Sequence, residues 1–228
     1  MSNPEAMAEQ SAESGARVRL RRLLDPATTA LLTMELQRGV VGSEAMLPQL
    51  ADEVERSGML DVVRRVCGAA RHAGVRVVHC THTTRPDGVG ISENCRIFAI
   101  SERHRRATGY AATEIGRPGV ELVAGLEEPG DVVVPRLTGM TPFTSTSLDQ
   151  ILRNLGIKTV IATGVSVNLG VYGMVLSAVD LGYQVVLVRD AVAGLPADLA
   201  QAVIDESLSL VATVVTSEDL LAVLGDTT

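Results

Sequence analysis

Short apolar runs alternate with helical patterns along almost the whole chain, and this alternation constrains the fold more than any other feature. "TALLTMEL" (29–36) reads as the first strand. "MLDVVRRVCGAARHAG" (59–74) then carries apolar residues at 60, 63, 66, 69 and 70 and ends on Gly74. That is the spacing of an amphipathic helix with a glycine stop. "VRVVHCTH" (75–82), "GDVVVPRL" (130–137), "KTVIATGV" (158–165), "YQVVLVRDAVA" (183–193) and "TVVTS" (213–217) supply the further strands. Helical patterns over 145–156, 168–182, 196–212 and 217–225 separate the later ones. Strand and helix in turn predict a doubly wound, mostly parallel six-stranded sheet, covered by helices on both faces in a Rossmann-like three-layer α/β arrangement. Aromatic residues are only 2% of the chain and Trp is absent. The core is therefore aliphatic, as suits strands buried on both faces.

Residues 1–24 lack an apolar segment and read as a disordered lead-in, leaving 25–228 as one domain. The polar segment 83–118 is too long for a plain connection, so it is expected to be functional or to carry short helices of its own. Cys67 and Cys80 fall inside apolar patterns, and the three cysteines show no paired spacing. Reduced thiols and a cytoplasmic setting are expected. The net charge of −7 comes without a long basic run, which argues against nucleic acid as a partner. Arginines at 17–22 and 103–106 read as solvated surface patches. No stretch approaches the eighteen or so apolar residues of a membrane span.

In such sheets ligands bind at the carboxyl ends of the strands. Glu35, His79, His82, Arg136, the 164–170 turn and Asp190 stand there. Glu35 follows an apolar run, and a partly buried carboxyl group there can serve as general acid or base. Arg136 stays protonated, so it can pair with Glu35 or clamp a substrate carboxylate but cannot donate a proton. His79 is expected inside the sheet and His82 at the pocket. Three residues apart on a strand, they point to opposite faces, so no metal site is expected. The loop "GMTPF" (139–143) is expected to pass over the pocket, with Thr141 and Phe143 as substrate contacts. Ser166 and Asn168 flank the turn, and Asn168 is a candidate helix cap. Asp190 reads as structural.

"TALLTMELQRGVV", "TPFTSTSLDQILRNLGIKTVIATGVSVNLGV" and "AVDLGYQVVLVRDAVAG" occur in an order that resembles the isochorismatase-like hydrolase superfamily, also called cysteine hydrolases. The resemblance runs from about 27 to 222. It implies an Asp, Lys and Cys triad, which fall here on Glu35, on Arg136 or Leu137, and on Gly170. All three positions depart from the pattern. Isochorismatases proper resemble this chain in having Gly at the last position, and in them the acid does the chemistry. The resemblance further implies a cis peptide at Val165–Ser166, a polar pocket with spare volume at Gly170, and a homo-oligomer, dimer or tetramer. The expectation is a cysteine-independent hydrolase of a small polar metabolite, cleaving a vinyl ether or an amide- or ureide-like bond. Glu35 and Arg136 would be catalytic; His82, Thr141, Phe143, Val165, Ser166, Asn168 and Gly170 would contact substrate. No cofactor is expected. The alternative is an inactive family member that binds a small molecule or serves as a scaffold.

Overall fold

The computed structural model describes residues 17–225. β1 (Thr29–Met34) is buried at every position, as a central parallel strand must be when helices cover both faces. β2 (Arg76–His82) and then β3 (Val132–Arg136) lie to one side of it. β4 (Thr159–Val165), β5 (Gln184–Ala193) and β6 (Thr213–Val215) lie to the other. The order is β3-β2-β1-β4-β5-β6, and every pairing is parallel. The winding direction reverses between β1 and β4, which is where a ligand crevice opens in sheets of this kind. Pro135 sits on the edge strand β3, where a missing N–H can face outward at no cost to the ladder.

Helix α1 (17–23), α3 (Pro48–Ser57), α4 (Met59–His72) and α9 (Ser217–Gly225) cover one face of the sheet. α4 buries Met59, Val63, Val66, Cys67 and Ala70 along one stripe, each large side chain contributing about 1.5–3 kcal/mol. α6 (Leu148–Asn154), α7 (Gly170–Asp180) and α8 (Ala197–Ala202) cover the other face. The short α2 (Arg38–Val41) follows β1, and α5 (Arg96–Thr108) lies within the long polar segment.

Several boundaries differ from expectation for physical reasons. Leu20 and Leu24 are buried in the core, so 17–24 is anchored; residues 1–16 lie outside the described residues. α3 carries no pattern recognised above, yet Pro48 opens it and Leu50 and Val54 face inward. The single helix expected over 196–212 is α8 followed by a widened turn at Val203–Ser207 and a tighter one at Leu208–Leu210. β1 stops at Met34 because Glu35 adopts φ 54. Side chains two apart on a strand share a face, but Met34 packs on the α7 side and Leu36 on the α4 side. The left-handed residue between them reverses the alternation.

His79 lies in the sheet, fully buried. Its Nδ1 pairs with Thr33 Oγ1 at 2.8 Å and its Nε2 with Asp131 Oδ2 at 3.1 Å. Arg71 donates to the same carboxylate at 2.7 Å. Burial lowers the pKa of His79, with the Asp131 contacts opposing it only in part. Burial alone would raise the Asp131 pKa, but donors from Arg71, the Glu128 amide and His79 outweigh it and hold it below the usual value. Asp190 accepts from the Ser217 N–H at 2.7 Å, which ties β5 to the start of α9.

Candidate active site

Glu35 ends β1 and Arg136 ends β3, two strands away. The left-handed turn at Glu35 aims its side chain along the strand tips, where it forms an ion pair with Arg136. Glu35 is also held by its own amide, which donates to the Cys80 carbonyl at 2.9 Å. Arg136 is 3% exposed. Its Nη2 faces Glu35 and its Nε donates to the Gly139 carbonyl at 2.9 Å. Its Nη1 is buried and has no partner among the described residues. Leu137, the other candidate for the family's Lys position, is 43% exposed and lies outside the cavity described next.

Glu35, Arg136, His82, Ser166, Asn168 and Gly170 all line one cavity of about 290 Å³. It lies at the strand tips beside β1 and β4, where the winding reverses. α5 lines it with Ile97, Phe98, Ser101 and His104, a helical stripe. None of the three cysteines is among its lining residues; Cys67 and Cys80 are buried, and burial pushes both thiols up to about 12. Among the described residues no group of three His, Cys, Asp or Glu side chains could hold a metal ion.

The turn between β4 and α7 is built by local hydrogen bonds. The Leu169 and Val171 amides both donate to the Ser166 carbonyl, at 2.9 and 3.0 Å. The Gly170 amide between them has no acceptor among the described residues. Ser166 Oγ donates to Asn168 Oδ1 at 2.8 Å, and Asn168 Nδ2 donates to the Leu195 carbonyl at 2.8 Å. Asn168 thus ties the turn to the next loop; the residue that caps α7 is Leu169. The Val165–Ser166 peptide is cis. Gly170 does not leave the spare volume expected of it. A Cβ there would lie 2.9 Å from Met34 Cε, so the Met34 side chain already fills that space.

His82 is placed by Gln37, whose side chain accepts from the His82 amide at 2.7 Å and donates to the His82 and Val120 carbonyls at 2.9 Å each. His82 Nδ1 pairs with Thr113 Oγ1 at 3.1 Å. Burial lowers its pKa; the Glu35 carboxylate opposes this by a smaller amount, and the Arg136 cation adds to the lowering.

Three expected contacts do not reach the cavity. Phe143 packs in the core against Tyr183, with ring centroids 5.9 Å apart. Thr141 pairs with Thr144 and Ser177 and fits against Gly173. Val165 is fully buried on the α4 side of the sheet. Met140, next to Thr141, is the residue of that loop that lines the cavity. The aromatic wall is the chain's other phenylalanine, Phe98, and His104 joins it one turn and a half further along α5.

A model of the isochorismatase domain matches residues 29–219. The chain belongs to the isochorismatase family. The ureidoacrylate amidohydrolase RutB of Pseudomonas savastanoi pv. phaseolicola is 27% identical over 187 residues, covering 78% of this chain and 76% of that protein. An isochorismatase family protein of Desulfovibrio vulgaris superposes with a TM-score of 0.73 at 27% identity, covering 87% of this chain and 98% of that one. A cysteine hydrolase of Pseudomonas syringae pv. phaseolicola superposes with the same TM-score at 22% identity, covering 90% and 96%. Within the described residues of this family member no helix is long and apolar enough to cross a membrane.

Proposed function

We propose that this isochorismatase-family protein is a hydrolase of a small amide- or ureide-type substrate, with Glu35 as the proton-transfer group and no thiol nucleophile. The observation that carries this reading is that Glu35, Arg136 and Gly170 line one cavity that no cysteine lines. The RutB relative, a ureidoacrylate amidohydrolase by name, supports the choice of bond.

Glu35 takes a proton from a water molecule as its oxygen bonds to the substrate carbonyl carbon. The carbonyl oxygen gains charge and accepts from the Gly170 N–H at the start of α7, where the backbone dipoles favour negative charge. Glu35 then returns the proton to the nitrogen as the C–N bond breaks, giving an acid and an amine. Arg136 fixes the carboxylate during both transfers. A carboxylate engaged with a guanidinium is placed to accept a proton from water. A vinyl ether needs a proton delivered to carbon, so the ion pair favours the amide or ureide reading over it. Oligomeric assembly, which the resemblance implies, is part of the proposal and is read by analytical ultracentrifugation.

A non-catalytic binding role is the second reading, favoured by the capture of Glu35 by Arg136. Screening small amides, ureides and vinyl ethers with the wild type and Glu35→Gln separates the two. Loss of general acid–base catalysis costs about 10²–10⁴ in rate. An activity that survives Glu35→Gln moves the chemistry elsewhere, and a wild type that binds panel members without turnover favours the second reading.

A further inference from the structure

Among the described residues, Arg136 is the only Arg or Lys that lines the cavity and Glu35 the only Asp or Glu, beside the imidazoles of His82 and His104. The cation and the anion neutralise each other. Their ion pair leaves the floor without net charge. The remaining wall is largely apolar, with Met46, Leu47, Ile97, Phe98, Met140 and Leu195 facing inward. His82 sits among them with its pKa lowered by burial, and so adds no fixed positive charge.

The guanidinium is already engaged: Nη2 by Glu35 and Nε by the Gly139 carbonyl, with Nη1 buried away from solvent. A substrate carboxylate beside the pair would put two carboxylates on one guanidinium inside an apolar cavity. The surplus negative charge would be desolvated without a counterion, at a cost of several kcal/mol. A neutral substrate leaves the charge balance intact.

We infer that the Glu35–Arg136 pair acts as a charge filter, and that the substrate is a neutral amide or ureide with an apolar body. The apolar body lies against the α5 wall at Ile97 and Phe98. This rests on the cavity being the substrate site proposed above, and it sets that substrate apart from carboxylate-bearing amides.

Binding tests the filter independently of turnover. Titration calorimetry compares p-tolylurea with 4-ureidobenzoate, which carry a methyl group and a carboxylate at the same ring position. The wild type is expected to bind the tolyl compound at least about tenfold more tightly, a difference of roughly 1.4 kcal/mol. Glu35→Gln removes the anion that neutralises Arg136, so in that variant the preference narrows or reverses toward the benzoate. Phe98→Ala weakens the tolyl compound more than the benzoate. A wild type that prefers the benzoate, or binds neither compound at millimolar concentration, overturns the inference. So does a preference unchanged by Glu35→Gln. Selective binding of the neutral compound without hydrolysis of any amide or ureide would instead sink the hydrolase reading and leave the filter standing.

Discussion

The contact between Met34 and Gly170 turns the absence of a side chain at the start of α7 into a measurable coupling. A Cβ built on Gly170 would lie 2.9 Å from Met34 Cε and 3.3 Å from the Val165 carbonyl oxygen. Carbon pairs settle at about 3.5–4.0 Å, so the first contact is short by at least ~0.6 Å. Met34 is fully buried, and overfilling a packed site costs about 1–3 kcal/mol. The flexible thioether can swing away in part, and alanine recovers up to about 1 kcal/mol over glycine in helix propensity. Gly170→Ala is therefore expected to lose about 1 kcal/mol, which for a chain of this size is roughly 2–4 °C in Tm. Met34→Ala alone empties the site and costs about 2–5 kcal/mol. In the double variant the new methyl group enters space that Cε has vacated, so its loss should fall short of the sum by about 1 kcal/mol. Urea unfolding of the four proteins, followed by circular dichroism, gives the coupling directly. Single effects that add within about 0.3–0.5 kcal/mol would refute the claim that Met34 occupies the volume beside Gly170.

Two further outcomes follow from backbone and burial. Gly164 has φ 106, and a Cβ there would land on the Met34 carbonyl oxygen of the neighbouring strand. Gly164→Ala is expected to cost more than about 4 kcal/mol and to leave little soluble protein, whereas unchanged unfolding would mean that β1 and β4 are spaced more loosely. Burial lowers the folded-state pKa of His79. Below about pH 6.5 the unfolded chain binds a proton that the native chain refuses, so stability falls with decreasing pH by up to about 1.4 kcal/mol per unit until the folded-state pKa is reached. His82 is shifted in the same direction by the same cause and steepens the decline. Urea midpoints measured between about pH 8 and 5.5 check this, and a flat profile would show that the imidazoles take up protons without loss of the fold.

Topology was legible because hydrophobic period is local. Each strand announces itself by an aliphatic run and each well-packed helix by its stripe, and the parallel order follows from their alternation. The strand-tip rule then brought Glu35, His82, Arg136, Ser166, Asn168 and Gly170 into one cavity. What stayed hidden depends on partners distant in sequence. Thr141 and Phe143 are caught by Ser177 and Tyr183, and nothing in "GMTPF" records that those residues wait across the loop. α3 escaped, and α5 was foreseen only as one of the short helices the segment 83–118 could carry, because their apolar stripes are thin among charged neighbours. Arg103, Arg105, Arg106 and Glu102 surround the Ile97, Phe98, Ser101 and His104 stripe, although its spacing at 97, 98, 101 and 104 is helical.

That stripe also shows why a cavity wall is harder to read than a core. A core helix buries its apolar face against other side chains, and the fit is selected for volume. α5 faces empty space on that side, so Ile97 and Phe98 remain half-exposed, and Glu102 is the one buried residue on the helix. Its carboxylate is held by Arg105 at 2.7 Å and Arg106 at 2.8 Å. The apolar residues that face the strand tips are thus surplus to packing. Their side chains are where the apolar body of the substrate inferred above would lie.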